Sequence, residues 1–187
     1  MKIIKTELEG VVIIAPDVFS DSRGYFLESF TLRKFEEAIG PVDFIQDNES
    51  SSTYGVVRGL HYQKLPYTQS KLVRCVSGSV LDVVVDIRKG SPTFMKHVAV
   101  ELSGENHLQM FIPKGFAHGF SVLSERAVFQ YKCDNYYAPS HDSGIYPLDP
   151  ALGIDWRIPR EDMILSDKDL YRAPLDVEHC DFEYSGD

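Results

Sequence analysis

The segment Ser79-Val80-Leu81-Asp82-Val83-Val84-Val85-Asp86-Ile87 has the period of a β-strand and a polar group in its middle. Successive strand residues point to opposite faces, so Leu81, Val83, Val85 and Ile87 share one face, and Val80, Asp82, Val84 and Asp86 share the other. Asp82 therefore falls mid-strand on a mixed face. Outward from this segment the same alternation runs from Leu72 to Cys133. It is broken by turn chemistry at Ser77-Gly78, Lys89-Gly90-Ser91-Pro92, Ser103-Gly104-Glu105-Asn106 and Ser124-Glu125-Arg126. Further strands are expected over 97–102, 109–112, 117–123 and 127–132. Short strands this closely spaced predict an antiparallel sandwich or barrel, and a double-sheet jelly roll removes most exposed edges. The expected fold is mainly β, a double-stranded β-helix barrel with a few short helices.

Helix signals are sparse. One helix is expected over 32–39, capped by Thr31 and stopped by Gly40-Pro41, and a second begins at Ser166. The stretch 136–159, rich in Pro, Asp and Gly, reads as loop. A chain of 187 residues fits a single domain, with 43% hydrophobic and 25% charged residues. No apolar run reaches the ~18 residues that cross a bilayer, and Met1-Lys2-Ile3-Ile4-Lys5 runs into acidic residues, so a cytoplasmic protein without a membrane partner is expected. Cys75, Cys133 and Cys180 are too few and scattered for a disulfide framework. A net charge of −9 disfavours nucleic acid, while Arg23, Arg58, Lys71 and Arg74 are candidates for a local cationic cluster.

Two segments carry chemistry: Val57-Arg58-Gly59-Leu60-His61-Tyr62-Gln63 and Phe111-Ile112-Pro113-Lys114-Gly115-Phe116-Ala117-His118-Gly119-Phe120. Each sets a histidine among apolar residues and glycine. Alone, His61 reads more simply as a satisfied core histidine, Arg58 and Lys71 as snorkelling strand residues, and Arg23 as half of a surface salt bridge. Likewise Gln46-Asp47-Asn48 reads as a turn, and Tyr136-Tyr137 as loop packing or a stacking platform. Together, His61, His118, Asp82, Lys71 and Tyr131 make an interior too polar to be only a core, since unpaired buried polar groups cost about 1–3 kcal/mol each. The motif Pro113-x-Gly115-x-x-His118 resembles that of metal-bearing cupins. Their first motif, however, supplies His-x-His and a glutamate, whereas His61 precedes Tyr62 and Gln63.

Seven ordered segments resemble the dTDP-4-dehydrorhamnose 3,5-epimerase family between about 19 and 174. They are Asp21-Ser22-Arg23-Gly24-x-Phe26-x-Glu28, Gln46-Asp47-Asn48, 57–63, Lys71-Leu72-Val73-Arg74, 111–120, Tyr131-Lys132-Cys133 and Ser166-x-Lys168-Asp169. The resemblance implies a cupin-like barrel, no metal or other cofactor, a dTDP-sugar substrate and a homodimer with N-terminal strands exchanged. It makes His61 the base at C3 and C5 of the sugar, oriented by Asp169, Tyr131 the acid on the opposite face, and Lys71 the cation at the enolate oxygen. His118 and Asp82 then line the pocket. Arg23, Arg58 and Lys168 attend the diphosphate, and Phe26, Glu28, Gln46, Asp47 and Asn48 belong to the substrate-binding set. Tyr137 stacks on thymine, and Asp142 stands where the family often has a glutamate that contacts substrate.

The chemistry is coherent without the name. A proton beside a ketone is acidic only because the carbanion becomes an enolate, so a cation at the ketone oxygen must precede a weak base. Histidine, with an ordinary pKa of ~6.5, suits that base near neutrality, and a carboxylate fixes its tautomer. Two other functions remain open at this stage. A 3-epimerase of another deoxysugar pathway would use the same residues, and a nucleotide-sugar binding module would use the barrel without the chemistry.

Overall fold

The computed structural model describes residues 1–186. Its strands are β1 (Lys2–Lys5), β2 (Val12–Ala15), β3 (Val18–Asp21), β4 (Gly24–Leu27), β5 (Gln46–Thr53), β6 (Val57–Gln63), β7 (Lys71–Ser77) and β8 (Ser79–Asp86). They continue with β9 (Arg88–Lys89), β10 (His97–Ser103), β11 (Gln109–Ile112), β12 (Phe116–Val122), β13 (Arg126–Cys133), β14 (Asp142–Gly144) and β15 (Phe182–Glu183). The helices are α1 (Leu32–Ala38) and α2 (Asp167–Leu170).

Two antiparallel sheets face each other. One has six strands in the order β1-β2-β11-β7-β13-β5, and the other has five in the order β10-β8-β12-β6-β14. This is the jelly roll expected from the alternation, and each expected strand lies within a residue or so of its place. The inner faces meet in a core of Val73, Cys75, Val80, Val84, Met110, Phe120 and Phe129. Every such side chain fully withdrawn from water contributes about 1.5–3 kcal/mol.

Both outer faces are covered as well. Leu81, Val83, Val85 and Ile87, on the outward side of β8, pack against Ile145, Leu152 and Trp156 from the Pro-rich stretch after β13. Most of that stretch is irregular, as expected, but Asp142–Gly144 form strand β14 beside β6, and the remainder is the lid of a second core. Trp156 Nε1 donates to the Pro147 carbonyl at 2.8 Å, and Ser121 Oγ donates to the Trp156 carbonyl at 2.7 Å. On the other sheet, Leu72 and Phe111 pack under α1 with Phe35, and Phe30 and Phe44 close the aromatic cluster edge-on. Thr31 precedes α1 as expected but makes no side-chain capping bond. Ser166 does cap α2, accepting from the Asp169 N–H.

Candidate active site

At one end of the barrel the core gives way to a cavity of about 280 Å³ lined by Arg58, His61, Lys71, His118, Tyr131, Tyr137, Asp142 and Lys168 among others. Strand alternation explains three of these, Lys71, His118 and Tyr131. Lys71, Val73 and Cys75 turn inward from β7, and Phe129, Tyr131 and Cys133 turn inward from β13. On β12, Phe116, His118 and Phe120 do the same from the facing sheet.

Arg58 and His61 break the rule, being three apart yet in one cavity. The pairing of β6 with β12 runs His118 to His61 and then Phe120 to Arg58, so Gly59 and Leu60 lie opposite Gly119 alone. This bulge returns Arg58 to the face of His61. It requires glycine on both sides: Gly59 has φ +145°, and a Cβ there would lie 2.6 Å from the Gly119 Cα.

Each histidine is held by a buried carboxylate. His61 Nε2 lies 2.6 Å from Asp169 Oδ1, brought in by α2, which leaves Nδ1 free for substrate. Burial works against the Asp169 charge, but His61, the Ser166 hydroxyl and the Gly59 N–H hold its carboxyl below the ordinary range. His118 Nε2 lies 2.8 Å from Asp82 Oδ2. Burial pushes the His118 imidazole down more than Asp82 pushes it up, so it is neutral at neutral pH. The mid-strand Asp82 thus meets its partner diagonally, on the neighbouring strand β12. Contrary to expectation it is fully buried and does not itself line the cavity, reaching it only through His118.

The remaining electrostatics follow from enclosure. Burial lowers the Lys71 ammonium below its ordinary value, with Cys133, Asp82 and Asp142 opposing the shift. Burial raises the Tyr131 phenol, which is therefore protonated at neutral pH. Asp142 is disfavoured by burial, yet Lys168 at 2.5 Å and Arg172 at 2.6 Å on the same Oδ2 keep it ionised. Arg58 Nε donates to Ser52 Oγ at 3.1 Å at the mouth. Among the described residues no group of three or more His, Cys, Asp or Glu is arranged to hold a metal ion.

Beside the cavity an annex is lined by Gln46, Asn48, Cys133 and the shared Gln69, Tyr131 and Tyr137. Gln46-Asp47-Asn48 is strand β5, not a turn, so Gln46 and Asn48 face the annex while Asp47 faces away and pairs with Lys132 at 2.9 Å. Arg74, also of the opposite strand parity from Lys71, does not line the cavity. Arg23, Phe26 and Glu28 lie on or beside the β3–β4 hairpin, outside the cavity of their own chain. Arg23 pairs with Asp21 at 2.5 Å, Glu28 with Lys34, and Phe26 is 65% exposed.

Glu49, Ser50 and Gln69 on the cavity wall, and Arg172 behind Asp142, escaped the reading from sequence. Gln69 belongs to an irregular approach to β7 and carries no pattern. Arg172 lies two residues beyond the end of α2, where no period marks it.

The family model described as dTDP-4-dehydrorhamnose 3,5-epimerase matches residues 5–176. The enzyme of that name from Shigella flexneri is 56% identical over 171 residues, 91% of this chain and 93% of the relative. The Escherichia coli K12 enzyme is 54% identical over 177 residues, 94% and 95% of the two chains. Among solved structures, the dTDP-6-deoxy-D-glucose-3,5-epimerase of Legionella pneumophila in complex with dTDP-4-keto-L-rhamnose superposes with a TM-score of 0.94 at 49% identity, covering 99% of each chain. With 172 consecutive residues matched, the histidine-bearing strands included, this chain is an isomerase that belongs to the dTDP-4-dehydrorhamnose 3,5-epimerase family.

Proposed function

We propose that the chain inverts C3 and C5 of dTDP-4-keto-6-deoxy-D-glucose, giving dTDP-4-keto-L-rhamnose for dTDP-L-rhamnose biosynthesis. One observation carries the reading: His61 and Tyr131 project from opposing sheets into a single cavity that also holds Lys71. Neutral His61 donates Nε2–H to Asp169 and takes the proton from carbon through Nδ1. The C–H electrons move onto the C4 oxygen as an enolate, where the Lys71 ammonium stabilises them. Tyr131 then gives its phenolic proton to the same carbon from the other wall, and solvent resets both groups. Because C3 and C5 both flank the C4 ketone, one apparatus serves both centres.

In this reading Arg58 and Lys168 take the diphosphate at the mouth, and Gln46, Asn48 and Tyr137 take thymidine in the annex. The exposed Arg23, Phe26 and Glu28 serve the partner's pocket in a homodimer, which accounts for an apolar and charged hairpin standing clear of its own site. The three free thiols fit the reducing cytoplasm.

The test is incubation with dTDP-4-keto-6-deoxyglucose in deuterated water with a chelator present, followed by NMR. Deuterium is expected at C3 and C5. Label at C3 alone would make the chain a 3-epimerase. The His61→Asn variant should bind dTDP normally and exchange nothing; retained exchange removes His61 as the base.

A further inference from the structure

Asp142 places a negative charge on the wall of a cavity that, in the epimerase reading on which this inference rests, must admit a diphosphate. Two cations share one of its oxygens, and they differ in access. Lys168 has a side chain 50% exposed, whereas that of Arg172 is 17% exposed. Arg172 is also boxed in. Its guanidinium lies over Gly144, where a Cβ would come within 3.1 Å of Nε, and its Nε is buried without a hydrogen-bond partner. The chain just beyond it is tied to the end of β14 by the Tyr146 N–H to Ala173 carbonyl bond of 2.9 Å. One cation is therefore fixed and the other can turn toward the cavity.

We propose that Arg172 is a positioning residue: it neutralises Asp142 permanently, so that Lys168 can leave that carboxylate for the diphosphate of the substrate. Without Arg172, releasing Lys168 strands a part-buried carboxylate facing phosphate, and Lys168 stays where it is. Sharing a single oxygen also leaves Asp142 Oδ1 as an acceptor for the sugar. Lysine retains the charge that arginine supplies; glutamine does not.

Calorimetric binding of dTDP to the full chain tests this, with thermal unfolding as a check on integrity. Arg172→Gln should weaken dTDP binding about tenfold or more, the scale of one charge-assisted contact. Arg172→Lys should stay close to wild type. The double variant Asp142→Asn/Arg172→Gln should recover most of the loss, because no carboxylate then competes for Lys168. A merely structural arginine would not be rescued this way. Wild-type binding by Arg172→Gln, or a double variant as weak as the single one, overturns the proposal. Should Arg172→Gln fail to fold, Asp142→Asn alone decides: it should bind dTDP more tightly, and unchanged or weaker binding overturns the proposal. A wild-type protein that binds no dTDP would instead overturn the epimerase reading itself.

Discussion

Replacing Asp169 with asparagine tests the base more sharply than removing the base itself. The side chain is almost the same size, so packing is kept, but its hydrogen-bonding symmetry is lost. Asp169 accepts from His61 Nε2 at 2.6 Å. An asparagine can turn either its oxygen or its NH2 toward that nitrogen. When the NH2 faces His61, Nε2 must accept, and the proton moves to Nδ1, the nitrogen needed as base. The variant also loses the negative charge that steadies the imidazolium formed as the proton is taken. A hydrogen bond to a charged group is worth about 1.5–3 kcal/mol, which predicts a fall in exchange rate of roughly 10- to 150-fold, before the tautomer effect is added. Asp169 is 3% exposed, so solvent does little to soften this. The assay is the initial rate of deuterium incorporation into the 4-keto sugar, with dTDP affinity measured alongside. Exchange at the wild-type rate in a folded Asp169→Asn protein would refute the claim that this carboxylate sets the tautomer of His61.

Tyr131→Phe should reduce inversion more than exchange, because the base is intact and only the opposite-face donor is gone; equal losses in product formation and label uptake would show that Tyr131 is not that donor. Lys71→Ala should lower turnover by about 10²–10³ with little change in dTDP binding, the effect of losing one donor at a developing oxyanion. Since burial lowers the Lys71 pKa, the wild-type rate should fall as pH rises through a value below the ordinary lysine range. That alkaline limb should be missing in the alanine variant. Away from the cavity, Asp86 is fully buried and accepts from Arg88 at 2.8 Å and from Ser91 and Thr93. Asp86→Ala should cost about 3–5 kcal/mol in urea unfolding by leaving Arg88 unpaired. Burial opposes the charges of Asp86, Asp142 and Asp169, but their donors hold all three carboxyls below the ordinary range. Their stabilisation is complete above the unfolded value of ~3.9 and is lost as pH falls through the folded values, so acid unfolding should begin below about pH 4.

Alternation from 72 to 133 was enough to announce two packed antiparallel sheets, because a strand's facing pattern is a property of the strand alone. The apolar outward face of β8 was equally legible as Leu81, Val83, Val85 and Ile87. What covers it was not, since Trp156 arrives there through an irregular stretch with no period to read. Motifs named the histidines, and the resemblance supplied Asp169 for His61 across 108 residues, but no local pattern announced that Asp82 meets His118 across 36. The facing of Arg58 depended on a single-residue bulge at Gly59, and that of Asp47 on β5 extending through what resembled a turn. Sequence by itself therefore determined the strands between 72 and 133, the fold class and the chemistry-bearing residue types, all of which follow from neighbours along the chain. Only tertiary structure decided that Asp82 serves His118, that Arg58 shares the face of His61 and that Arg172 is the cation walled in beside Asp142. Those depend on register and sheet closure, where a shift of one residue moves a side chain from the cavity to the opposite face.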